Sequence, residues 1–136
     1  MPRILIVDDD NSVRVSMRIW LERDGYEAIV ADGGRCAIEA LAASPIDVVI
    51  VDIFMPGMDG LETIRVLNQH APAVPIIAMS GFMFRNSSAP APDFLSMSTK
   101  LGAACSLHKP FRPRDLRAAV ETCLGSRHAL RISRTA

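Results

Sequence analysis

Paired thiols are missing from this chain: its three cysteines, Cys36, Cys105 and Cys123, are odd in number, far apart, and form no C-x-x-C. Reduced, mostly buried thiols in a cytoplasmic protein are expected. Net charge is missing too, with 15 basic residues against 15 acidic ones. No global field therefore gathers nucleic acid or an anionic membrane. No apolar run approaches the roughly 20 residues that cross a bilayer. Acids arrive early in "MPRILIVDDD", so no secretory signal is expected there. No internal repeat is visible. The length suits one domain, able to bury roughly 70 % of its unfolded surface.

What is present is a rhythm. Five short apolar runs alternate with helical patterns: Ile4–Val7, Glu27–Ala31, Val48–Val51, Ile76–Met79 and Cys105–His108. The first, third and fourth are nearly continuous in Ile and Val, as in parallel strands covered on both faces. Between them, helical spacing groups Val13, Met17, Trp20 and Leu21, and then Ala37, Ile38, Leu41 and Ala42. A third stripe holds Leu61, Ile64 and Leu67, and the last holds Leu116, Ala119, Val120, Cys123 and Leu124. Asp59 and Glu62 read as a capping box opening the third helix, and Gly125 as the stop of the last. A fourth helix is placed from near Asp93 to Gly102, after a Ser, Ala and Pro cluster at Asn86–Pro92 that reads as a loop. Residues 126–136 carry Arg127, Arg131 and Arg134 without an acid and read as a basic, flexible tail behind a domain of residues 1–125.

Such alternation implies a doubly wound α/β fold: a parallel sheet with right-handed crossovers and helices on both faces. Ligands then bind where the carboxyl ends of the strands meet a reversal of strand order. Asp8 and Asp9 end the first strand, Asp52 the third and Ser80 the fourth, while Lys109 follows the fifth. Carboxylates crowded at one edge repel unless a cation joins them. Magnesium suits oxygen ligands and shares its shell with phosphate. An aspartate there can be the nucleophile that forms an acyl phosphate. Lys109 can neutralise one phosphoryl oxygen and the Ser80 hydroxyl can donate to another. Asp10 or Asn11 could cap the first helix, and Asp10 taken alone reads more simply as such a cap than as part of the site. Lys109-Pro110 is a candidate cis bond that would aim the lysine.

In order and spacing, "VDDD", "VDIFMPGMDG", "MSG" and "HKPF" resemble the signatures of response-regulator receiver domains of two-component signalling, from residue 3 to about 125. The resemblance implies a flavodoxin-like fold of five strands in the order 2-1-3-4-5 with five helices. It implies that Asp52 accepts a phosphoryl group from a histidine kinase in a magnesium-dependent reaction. Asp8, Asp9, Asp52 and the Phe54 backbone carbonyl would hold the magnesium, and Lys109 and Ser80 would sense the phosphoryl oxygens. The chain would then be a signalling switch rather than an enzyme, acting only on its own phosphoryl group. It would be a monomer or a phosphorylation-dependent dimer that touches neither nucleic acid nor membrane directly. Its target would be a protein or a histidine phosphotransfer domain. No output domain follows in this sequence, as in a stand-alone receiver or one cut from a longer regulator.

Two departures stand out. The family usually has an aromatic residue three positions before the lysine, where this chain has Ser106. The segment after Ser80, residues 82–98, reads as longer than usual. A rival resemblance is to haloacid-dehalogenase-like phosphatases, whose opening D-x-D would make Asp8 the nucleophile and Asp10 the acid/base. That family needs a further acidic pair after the lysine, whereas Asp115 and Glu121 sit on an amphipathic helix. A receiver serving only as a binding module is opposed by the complete acid set.

Overall fold

The structure, a computed structural model, describes residues 1–53, 60–80 and 99–135, with side chains of the last helix described as far as Gly125. Its strands are β1 (Arg3–Val7), β2 (Glu27–Ala31), β3 (Val48–Asp52), β4 (Ile76–Ser80) and β5 (Cys105–His108). Its helices are α1 (Asn11–Arg23), α2 (Gly34–Ala43), α3 (Gly60–His70) and α4 (Pro113–Thr135). All strand pairs are parallel, in the order β2-β1-β3-β4-β5. The sheet expected from the apolar runs is therefore present, with the strand order that the resemblance implied.

Side chains alternate across the pleat and divide the core in two. Leu5, Val7, Val49, Val51, Ile76 and Ala78 pack with Ile64 and Leu67 of α3 and Ala37 of α2. Ile4, Ile6, Val48, Ile50, Ile77 and Met79 pack with Met17 and Leu21 of α1 and Leu116, Val120 and Cys123 of α4. Burial on both faces explains why the three central strands read as nearly continuous apolar runs. The edge strands β2 and β5 are only partly covered, and Glu27, Ser106 and His108 face out.

Cys36, Cys105 and Cys123 are free thiols, and Cys123 is the most buried of them. The Cys123 thiol donates to Cys105 Sγ at 3.6 Å. Burial first, and then that bond, push its pKa up to about 12.

Several expectations meet the structure at element ends. Asp10 caps α1, its carboxylate accepting from the amides of Ser12 at 2.8 Å and Val13 at 3.4 Å. Gly125 does not stop the last helix, which runs on to Thr135. A Cβ at Gly125 would meet nothing within 4 Å, so the residue is an ordinary exposed helical position. Glycine there costs about 1 kcal/mol against alanine, too little to end a helix that good formers continue. The tail read as flexible thus continues the helical backbone. Among the described residues there are four helices. Of the expected fourth of five, only its end is described: Thr99–Leu101 are helical and Gly102 turns out of it with φ +122°. Asp59, the start of that helix near Asp93 and the whole of the long segment 82–98 lie outside the described residues. Glu62, expected in a capping box, pairs with Arg65 one turn on.

Candidate functional site

The sheet carries its polar residues at one edge because each strand runs out of apolar residues there. The Asp8 amide still donates to Ala31 O at 3.1 Å, so the backbone stays in sheet register one residue beyond β1. Its Oδ1 accepts the Asp10 amide at 2.9 Å. This self-closing turn aims the other oxygen inward. Asp52 ends β3 opposite Met79, and the next amide, that of Ile53, donates to Met79 O at 2.9 Å.

Gly60 sets the floor behind Asp52. A Cβ on Gly60 would lie 2.1 Å from Ile53 Cα and 2.2 Å from the Asp52 carbonyl oxygen. No side chain fits, so the start of α3 sits directly on the backbone that carries Asp52.

The cluster that the sequence placed at this edge forms in space. Asp8 is 0 % and Asp52 5 % exposed, while Asp9 is open to solvent. One carboxylate oxygen from each of Asp8, Asp9 and Asp52 lies within 4.8 Å of the others. Lys109 Nζ donates to Asp8 Oδ2 at 2.6 Å and to Asp52 Oδ2 at 3.2 Å. Burial alone would push its pKa down. The hydrogen bond to Asp8 and the attraction of both carboxylates outweigh burial and hold the ammonium above the usual lysine value. Lys109 is brought there by its amide, which donates to Ser80 O at 2.8 Å, and the Lys109-Pro110 bond is cis.

Two carboxylates buried together cost several kcal/mol each unless they are paired. One ammonium against three carboxylates leaves a formal excess of negative charge that a divalent cation would offset. The donor set is all oxygen, hard and mostly charged, which fits magnesium or calcium rather than a soft metal. Phe54, whose carbonyl the resemblance assigned to the same ion, lies outside the described residues.

Two neighbours escaped the sequence reading. The Arg14 guanidinium donates to the Asp8 carbonyl oxygen at 2.6 Å and to Asn11 Oδ1 at 3.2 Å. No spacing rule marks it, because the contact depends on how α1 leaves Asp10. His108 is the second: its Nδ1 lies 3.2 Å from Ser80 Oγ. Strand register could have found it, since Ser80 and His108 are partners across β4 and β5. Beside Lys109 an apolar groove of about 470 Å³ runs between α1 and the β5–α4 connection, past Val13, Trp20 and Phe111.

The response regulator receiver domain family matches residues 4–121. The chain is 34 % identical over 126 residues to the response regulator receiver protein CpdR of Brucella abortus, covering 91 % of this chain and 98 % of that one. It is 31 % identical over 122 residues to the alkaline phosphatase synthesis transcriptional regulatory protein PhoP of Bacillus subtilis, covering 90 % of this chain and 48 % of that one. Like PhoP, several of the curated regulators it resembles are about twice as long as the stretch they share with it. Among solved structures, a response regulator receiver domain protein from Clostridium thermocellum superimposes with a TM-score of 0.85 at 26 % identity, covering 96 % of this chain and 99 % of that one.

Proposed function

Because this chain belongs to the response-regulator receiver domain family of two-component signalling, we propose that Asp52 is its phosphoacceptor. A histidine kinase would be the donor and the cytoplasm the setting. The observation that carries this reading is the Lys109 ammonium held between Asp8 and Asp52 beside the exposed carboxylate of Asp9. Among the described residues no helix is long and apolar enough to cross a membrane.

In the proposed reaction an Asp52 oxygen attacks the phosphorus of a phosphohistidine in line. The P–N bond breaks, the imidazole leaves with the bond pair, and an acyl phosphate forms. Magnesium, held by Asp8, Asp9, Asp52 and the Phe54 carbonyl, would supply positive charge to the phosphoryl oxygens. Lys109 already sits within hydrogen-bond reach of the reacting carboxylate, so its charge needs little rearrangement to meet the transferred group. Ser80, at the end of the neighbouring strand, would donate to a second oxygen. The consequence is a changed surface around β4 and β5 that a protein target or a histidine phosphotransfer domain reads. The protein would act as a switch, its only chemistry being on its own phosphoryl group.

The phosphatase alternative needs Asp10 as acid/base, yet the Asp10 carboxylate is engaged with two amides of α1. Incubation with acetyl phosphate and magnesium, followed by peptide mapping, decides between the two readings. Label on Asp52, lost in Asp52→Asn, is expected. Label on Asp8 would overturn the assignment.

A further inference from the structure

Ser80 and His108 end adjacent strands at the same level, and their side chains meet at 3.2 Å. Ser80 is 6 % exposed, so little water competes for its hydroxyl, whereas the His108 side lies open. A serine hydroxyl carries one proton. In the tautomer that carries its proton on Nε2, the nitrogen turned away from Ser80, Nδ1 accepts and the Ser80 hydroxyl donates to it. To donate to a phosphoryl oxygen on Asp52, that hydroxyl must leave the histidine.

We propose that His108 is a latch on Ser80: a positioning residue that holds the hydroxyl in its resting orientation and sets how readily it turns to phospho-Asp52. The proposal rests on Asp52 being the phosphoacceptor. Switching is then an exchange of one hydrogen-bond partner for another. Ser106 and His108 both face out from β5, with buried Leu107 between them. Release of His108 is therefore presented on the outer face of this edge strand, where a partner can read it.

The test uses the full chain, isotope-labelled, with beryllofluoride and magnesium as the phosphoryl mimic. In the resting protein, Ser80→Ala should move the His108 ring-nitrogen resonances. A net hydrogen bond to a neutral acceptor is worth roughly a two- to tenfold shift in equilibrium. His108→Ala should therefore tighten beryllofluoride binding by about that factor. His108→Asn, which retains an acceptor, should stay close to wild type. In a Ser80→Ala background, His108→Ala should have no effect, since the pair acts as a unit.

Unmoved ring nitrogens would overturn the contact. Unchanged binding in His108→Ala would overturn the latch, and weaker binding would show that His108 instead holds Ser80 toward the phosphoryl group. A wild type that shows no beryllofluoride response at Asp52 would overturn the phosphoacceptor reading and the latch together. The ring-nitrogen measurement does not depend on that response, so it separates a missing Ser80–His108 contact from a failed phosphoacceptor reading.

Discussion

Lys109 ties together two carboxylates that begin on different strands: its ammonium lies 2.6 Å from Asp8 Oδ2 and 3.2 Å from Asp52 Oδ2. Both partners precede the lysine, Asp8 by 101 residues and Asp52 by 57. It exists because β1, β3 and β5 end at the same edge of one sheet. Charge balance at this point is the property most open to experiment.

Magnesium should stabilise the wild type by binding the folded state, in proportion to the logarithm of its concentration above the dissociation constant. Asp52→Asn should stabilise the metal-free protein by removing one buried carboxylate, while abolishing phosphorylation. Asp8→Ala combined with Asp9→Ala should remove most of the magnesium-induced rise in melting temperature. Thermal melts with and without magnesium check all three. An undiminished rise in the double variant would place the cation elsewhere.

Lys109 should make stability fall at high pH. Its pKa is raised in the folded state, so its contribution is complete below the ordinary value of 10.5 and is lost as pH climbs through the higher folded value. Denaturation midpoints between about pH 9 and 12, compared with Lys109→Met, isolate this loss. The variant should lack the component and should also be less stable at neutral pH without metal, by about 3 kcal/mol, because it strands two buried carboxylates.

Lys109→Arg replaces a compact ammonium with a broad planar fork. Some phosphorylation should survive, but most of the conformational response should disappear. Amide chemical-shift changes on adding beryllofluoride measure that response. A full response would remove the point-charge requirement at this position.

Two glycines should respond in opposite directions to alanine. Gly60→Ala drives a Cβ into Ile53 Cα at 2.1 Å and should cost about 3 kcal/mol while displacing Asp52. Gly125→Ala meets nothing within 4 Å and should stabilise α4 by up to about 1 kcal/mol. Chemical denaturation of both variants reports the contrast. Equal effects would contradict the close approach of α3 to β3.

Asp10→Ala should lower stability by about 1 kcal/mol through loss of the α1 cap and leave phosphorylation by acetyl phosphate intact. Melting curves and mass spectrometry of the phosphorylated chain measure the two effects. Lost phosphorylation with stability unchanged would make Asp10 a catalytic group after all.

Much of this protein can be read along the chain, because period and burial are local consequences of residue type. Ile4–Val7, Val48–Val51 and Ile76–Met79 announce covered parallel strands, and the acids after the first two announce a crowded acidic edge. Asp10, with an amide to cap, is legible for the same reason. Four features depended on the tertiary structure. The Gly125 reading failed because glycine ends a helix only where the chain turns, and here α4 continues. Gly60 shows nothing in sequence of its contact with Ile53, which arises only when α3 lies on β3. His108 looks like any residue before a lysine until the β4–β5 register sets its ring against Ser80. Which carboxylates Lys109 reaches was likewise decided by tertiary structure, since Coulomb attraction falls with distance in space and is indifferent to separation along the chain.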